Sequence, residues 1–201
     1  MPKSRVELFA DPVCPFAWIA YRWLSMVEMH RDVELSLRIM SLAILNDGTR
    51  GYPPEEKRGL ESAWRPVRVA AAVEEQRGPG GFRDFFEAFG QVFHVEGVRP
   101  RDAALREALR RIEAAQVLRS ADVTDYDAVI RESHSRGVEP VGIPGGTPTI
   151  HIDGAAFFGP ILSAVPAKKE ALAMFDGTRL IASNPQFSEL KRGRPEEIRV
   201  D

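Results

Sequence analysis

Hydrophobic and polar positions alternate almost from the start of the chain. Val6, Leu8 and Ala10 alternate with Glu7 and Phe9, which predicts a short strand, apolar on both faces and therefore central in a sheet. An apolar stretch over 16–27 follows, with Phe16, Ile19, Ala20, Trp23 and Val27 on one helical face. Pro15 is preorganised for the first position of that helix, which makes Cys14 its N-cap. Val33, Leu35, Leu37 and Ile39 then alternate with Glu34, Ser36 and Arg38, a half-buried strand. Strand, helix and strand make a βαβ unit with a right-handed crossover.

The period changes after Asn46-Asp47-Gly48, and from 53 to 140 it is helical. Pro53-Pro54 opens one helix, and Pro66 requires a kink or a new start. Gly78-Pro79-Gly80-Gly81 reads as a loop, and Phe82, Phe85, Phe86, Phe89 and Phe93 keep the spacing of a core-facing helix. Asp102 is expected to cap a helix carrying Leu105, Leu109 and Ile112. Tyr126, Val129, Ile130 and Ser133 mark another, with Gly137 as its expected terminator. Thr149, Ile150, His151 and Ile152 then lead through Asp153-Gly154, a two-residue hairpin turn, into a strand over 155–158. Pro166 opens a helix to about Phe175, and 185–191 forms a last short one. The fold class is α/β: a βαβ half and a ββα half, with an all-helical insertion. We expect one domain over 1–52 and 141–201 and a helical subdomain over 53–140.

Composition narrows the function classes. The 201 residues include 27 Lys+Arg and 29 Asp+Glu for a net charge of -2, which gives no footprint for nucleic acid or an anionic membrane. No apolar run approaches the ~20 residues of a membrane span. The break at Asp11-Pro12 precedes any signal-peptide apolar region, so the cytoplasm is the expected compartment. A single cysteine, Cys14, excludes an internal disulfide and leaves a metal site only His and carboxylates; no His stands at ligand spacing, and no metal is expected. Monomer and homodimer are both open.

A βαβ…ββα chain with cysteine just before its first helix is the thioredoxin pattern. A thiol there faces unpaired backbone N–H groups and the positive end of the helix dipole, both of which favour thiolate. Such cysteines titrate as low as ~3.5–7.5, so a depressed pKa is expected for Cys14. The second element is Gly146-Thr147-Pro148-Thr149, just before the hairpin. In thioredoxin-like folds a cis-proline at this point faces the cysteine, and the residue before it offers backbone groups to a thiol substrate. We therefore expect a cis Thr147–Pro148 bond beside Cys14. Trp18 and Trp64 are candidates for an apolar wall, and His94 for the cleft. Arg65 and Arg68 fit thiol recognition and a solvated helix face equally well.

Several co-linear segments resemble one family. They are Asp11-Pro12-Val13-Cys14-Pro15-Phe16-Ala17-Trp18-Ile19, Met40-Ser41-Leu42-Ala43-Ile44-Leu45-Asn46, Ala63-Trp64-Arg65-Pro66-Val67-Arg68-Val69-Ala70, Gly146-Thr147-Pro148-Thr149-Ile150-His151 and Ala156-Phe157-Phe158-Gly159-Pro160. Together they resemble the DsbA-like, mycothiol-dependent reductases, whose best-known member is a mycothiol-dependent nitroreductase. The resemblance implies a thioredoxin fold with a helical insertion and mycothiol, the low-molecular-weight thiol of actinobacteria, as reducing partner. It implies Cys14 as nucleophile, with Pro15, Phe16, Ala17, Thr147, Pro148, Trp18, Trp64 and His94 as candidate thiol- or substrate-binding positions. Family members carry Cys-Pro-Trp-Cys where this chain has Cys14-Pro15-Phe16-Ala17, so no resolving thiol is present. Three readings follow. The first is a monothiol oxidoreductase acting on a small-molecule or protein disulfide. The second is a non-redox transferase or isomerase of the kappa-glutathione-transferase type, and the third a redox-inactive binding protein.

Overall fold

The computed structural model describes residues 3–47, 58–143, 145–193 and 196–201. Four strands form one sheet in the order β2-β1-β3-β4. Strand β1 (Ser4–Ala10) pairs in parallel with β2 (Val33–Ile39) and antiparallel with β3 (Thr149–Ile152), so it is central, as its two apolar faces require. Strand β4 (Ala155–Phe158) closes the hairpin on β3. Asp153 and Gly154 turn it with φ of 50° and 95°, the left-handed pair that a two-residue hairpin needs. The Asp153 carboxylate then accepts from the Arg5 amide at 2.9 Å, the Ser4 hydroxyl and Arg179 Nε at 2.8 Å, fastening the turn to its neighbours.

Helix α1 (Pro15–Glu28) carries the parallel crossover and is buried on nearly every side. On one side lies α7 (Lys168–Ala182): Trp23 Nε1 donates to the Ala171 carbonyl at 2.9 Å and its ring meets Phe175. On the other lies α4 (Gly81–Gly90), where Phe86 packs against Trp18 and Tyr21. Gly90 makes that approach possible, because a Cβ there would overlap the six-membered ring of Trp18. A short helix α2 (Leu42–Leu45) follows β2. Then come α3 (Trp64–Arg77), a π-helical turn Gln91–Val95 after α4, α5 (Arg101–Arg111), a 3-10 stretch Ala115–Asp122 and α6 (Asp127–Val138). One apolar cluster runs from Val6 and Leu8 through α1 to Phe82, Phe85 and Leu105, so sheet and helical layer share a core.

Several expectations hold and several need correction. Pro66 sits in the first turn of α3, where a helix asks for no N–H donor, so it marks a start and not a kink. The Pro53-Pro54 helix lies outside the described residues. Asp102 does not cap α5: it lies inside the first turn, after Pro100, and its carboxylate takes Arg65 Nη2 at 2.7 Å and Arg106 Nε at 2.7 Å. Arg65 is correspondingly 5% exposed, held by Asp102 and Asp122, and not on a solvated face. Gly137 lies within α6, where its missing side chain lets Phe9 approach to 2.7 Å of a would-be Cβ; the chain turns at Gly142, with φ 73°. Gly81 opens α4 and so does not belong to the loop before it. Helix α7 runs seven residues beyond Phe175, to Ala182, and 185–191 is not helical; Phe187 instead meets Phe157.

Gly90→Ala tests the contact between α1 and α4. Helix propensity alone would reward alanine by about 1 kcal/mol. Overlap with Trp18 reverses the sign, and we expect a net loss of about 1–3 kcal/mol in urea unfolding.

Candidate functional site

The register of the sheet assembles the site. Phe9 pairs with Thr149 near the end of β1, which brings the loop before β3 beside the turn that follows Ala10. That turn is closed by the Cys14 amide donating to the Asp11 carbonyl at 3.0 Å. Cys14 is the N-cap of α1, Pro15 is its first residue, and the Trp18 amide donates back to the Cys14 carbonyl at 3.1 Å. The Thr147–Pro148 bond is cis. Cys14 Sγ donates to the Thr147 carbonyl at 3.3 Å, so the loop faces the thiol as expected.

The electrostatics overturn the low thiol pKa expected of a helix N-terminus. Cys14 is 5% exposed, and burial pushes its thiol up to about 11. The Ala17 amide pulls down, the negative charge of Asp11 pushes up, and the Phe16 amide and Thr147 pull down again. No helix N–H closes a capping hydrogen bond to the sulfur. The desolvation of thiolate outweighs the helix terminus, and the resting thiol is protonated, which its donation to a carbonyl also favours.

His94, in the π-helical turn, reaches this end of α1. Its Nε2 lies 2.9 Å from the Pro12 carbonyl, which can only accept, so Nε2 carries the hydrogen. Its ring stacks on Trp18 with centroids 6.2 Å apart. Burial drives its pKa down to about 4, against the Pro12 hydrogen bond and with help from Arg99, so the ring is neutral. Trp18 is 3% exposed and donates from Nε1 to the Val200 carbonyl at 2.9 Å, so it lies under the C-terminal residues and presents no open wall. Phe16 is half-buried and Ala17 fully buried.

Trp64 belongs to a separate cluster. It lines a cavity of about 270 Å3 with Gly59, Ser62, Arg65, Arg68, Ala121 and Asp122. The guanidinium groups of Arg68 and Arg131 each lie 5.1 Å from its ring centroid. Asp11 is the residue that pattern reading missed. It is fully buried; its Oδ1 accepts from the Val13 amide at 2.8 Å, its Oδ2 from the Leu42 amide at 2.6 Å, and its own amide donates to Thr147 Oγ1 at 3.0 Å. The available signal was an aspartate directly at the end of a central strand, where its side chain can catch the amide two residues on. Among the described residues no group of His, Cys, Asp and Glu is arranged to hold a metal ion, and no helix is long and apolar enough to cross a membrane.

A family model described as Rv2466c-like, mycothiol-dependent nitroreductase Rv2466c, matches residues 13–192. The chain belongs to that family. Cys14, at the start of α1, is the single cysteine of the chain, and Ala17 follows one helical turn later. The Uncharacterized protein Rv2286c of Mycobacterium tuberculosis (strain ATCC 25618 / H37Rv) is 31% identical over 195 residues, covering 94% of this chain and 82% of its own. The probable DsbA oxidoreductase SCO1869 from Streptomyces coelicolor superposes with a TM-score of 0.58 at 16% identity, over 98% of this chain and 99% of that one. The cytosolic disulfide reductase DsbM from Pseudomonas aeruginosa, solved with GSH, gives 0.57 at 15% identity, over 87% and 98%. These likenesses make the fold DsbA-like, a thioredoxin fold, and the family is one of thiol oxidoreductases that use mycothiol.

Two pH measurements follow. Alkylation of Cys14 by iodoacetamide should have its midpoint near 11; a midpoint at or below the ordinary ~8.5 contradicts the burial argument. His94 titrates lower folded than unfolded, so its contribution is present above the unfolded value of 6.5 and is lost as pH falls toward about 4. His134, also pushed down by burial, acts in the same direction. Urea stability should fall over that window, by about 3 kcal/mol at most for His94. His94→Gln, which keeps an N–H for Pro12 and does not titrate, should flatten the fall.

Proposed function

We propose that this protein is a cytoplasmic monothiol oxidoreductase that reduces a small-molecule or protein disulfide at the expense of mycothiol, through a mixed disulfide at Cys14. The observation that carries the reading is the Cys14 thiol at a helix start, 3.3 Å from the carbonyl that precedes a cis-proline. Cys14 gives up its proton and attacks the substrate S–S bond, which breaks as one substrate thiolate leaves. A first mycothiol thiolate attacks Cys14 Sγ and releases the second substrate thiol, leaving a Cys14–mycothiol disulfide. A second mycothiol then attacks the mycothiol sulfur of that disulfide. The products are two substrate thiols, mycothiol disulfide and free Cys14, so two electrons pass from two mycothiols to the substrate. Thr147 and Pro148 dock the incoming thiol chain. Pro15, Phe16 and Ala17 shape the floor around the sulfur, with Trp18 and His94 behind it. Trp64, in its own cavity, is assigned to the outer part of a bound thiol.

One observation favours a second reading. A buried thiol that is protonated and donating a hydrogen bond suits a residue that hydrogen-bonds a cofactor thiolate without bonding to it, as in the kappa-type transferases. The serine variant separates the two. Incubation with mycothiol disulfide should add one mycothiol to the natural chain by intact mass, and Cys14→Ser should lose adduct and turnover together. Robust activity in the serine variant moves the assignment to the transferase reading. Ala17→Cys places a thiol one helical turn from Cys14, near enough to displace the adduct and leave an internal disulfide, so this variant should accept turnover from an added dithiol reductase that the natural chain cannot use productively.

A further inference from the structure

The cavity beside Trp64, about 270 Å3, is walled by two arginines of α3, Arg65 and Arg68, and by Asp122. Arg65 is the most enclosed of the three: its side chain is 5% exposed, with Nη2 donating to Asp102 and Nη1 to Asp122. Its Nε is buried and has no hydrogen-bond partner. An N–H of a charged group is costly to bury unbonded, so a donor left over at a cavity wall asks for an acceptor from outside. Positive charge continues along the wall. Asp127 holds Arg68 through Nε and Nη2 at 2.7 and 2.8 Å, which leaves Nη1 with the Ala121 carbonyl at 3.5 Å, the limit of a hydrogen bond. Arg131, from α6, is exposed over the Trp64 ring and makes no ion pair among the described residues. We propose that this cavity binds the carboxylate of a small organic acid on the guanidinium groups of Arg65 and Arg68, beside Trp64. The site goes beyond the thiol reading and does not rest on it.

The class of ligand follows from what these arginines already hold. Arg65 pairs with Asp102 and Asp122, and Arg68 with Asp127, so the anion that suits them is a carboxylate. A planar guanidinium presents paired donors that match the two oxygens of such a group. The three aspartates are not equivalent. Asp102 and Asp127 are largely enclosed, whereas the Asp122 side chain is 67% exposed although its partner is among the most buried arginines of the chain. An exposed carboxylate gains little from an ion pair, because water competes for it and the side chain gives up freedom. Asp122 is also the last residue of the 3-10 stretch Ala115–Asp122, so its side chain can turn to solvent without unmaking a helix. It is an internal stand-in for the ligand: an acid entering the cavity competes with Asp122 for Arg65, and Asp122 sets the affinity.

Sodium succinate is the probe, titrated into the natural chain at an ionic strength held constant with sodium chloride. The Arg65 Nε–H and Trp64 indole N–H resonances should move and saturate. Asp122→Asn keeps the shape and removes the competing charge, and its succinate midpoint should fall about tenfold, as expected when a site mostly filled by its own chain is freed. A cluster of purely structural ion pairs would lose thermal stability in Asp122→Asn and show no shift beyond that given by chloride. That result, or an Asp122→Asn midpoint equal to or above the natural one, overturns the proposal. Should Asp122→Asn fail to fold, Arg68→Gln serves: the loss of a charged donor should raise the midpoint about tenfold, and an unmoved midpoint overturns the proposal equally. Succinate carries no sulfur, so this test stands apart from mycothiol turnover. A mycothiol adduct without a succinate shift removes the acid site and leaves the proposed function. A succinate shift without an adduct does the reverse.

Discussion

Everything at this site depends on the burial of α1. A helix enclosed by a sheet and α7 on one side and by α4 on the other can present only its ends to chemistry, and the end that carries Cys14 is itself covered. A helix terminus stabilises thiolate with partial charges, whereas burial removes the hydration of a full one, and the second effect is larger here. The sulfur therefore rests as a hydrogen-bond donor. In the proposed mechanism such a group is latent: a thiol docking beside Thr147 would have to supply the polar surroundings that burial withholds. That condition ties reactivity to binding and protects the only thiol of the chain from casual oxidation.

Much of this was legible in the residues. The alternation over β1 and β2, the proline that starts α1 and the Asp-Gly hairpin are local signals, and the structure uses each as read. The cis Thr147–Pro148 bond beside Cys14 was legible only through the thioredoxin pattern that joins a cysteine-proline helix start to a proline before the hairpin, since no local rule favours a cis bond there. What was not legible depended on who the neighbours are. Asp102 looks like a cap because its sequence neighbours are a helix start, yet a buried arginine from α3 claims it. Gly137 looks like a terminator until Phe9 is placed against it. The thiol pKa failed for the same reason: position along the chain reports the helix end, and only the packed structure reports the desolvation.

Ala17 sharpens the functional question. A site with two neighbouring thiols can resolve a mixed disulfide within the chain, without regard to solvent thiol. This chain has the fully buried methyl group of Ala17 one helical turn after Cys14, so in the proposed mechanism resolution is bimolecular. The helical layer packs against the same helix: Phe86 and His94 meet Trp18, and Gly90 leaves room for its ring.

The hydrogen bond from Trp18 to the Val200 carbonyl joins residues separated by 182 positions. A contact of that span has to wait for the crossover, the helical layer and the hairpin to be in place, because loop closure over most of the chain precedes any gain from it. The residues around Val200 thus act as a seal, set after the helix that carries Trp18 has found its bed. The indole beneath them sits where the completion of folding and the covering of the thiol end of α1 become one event.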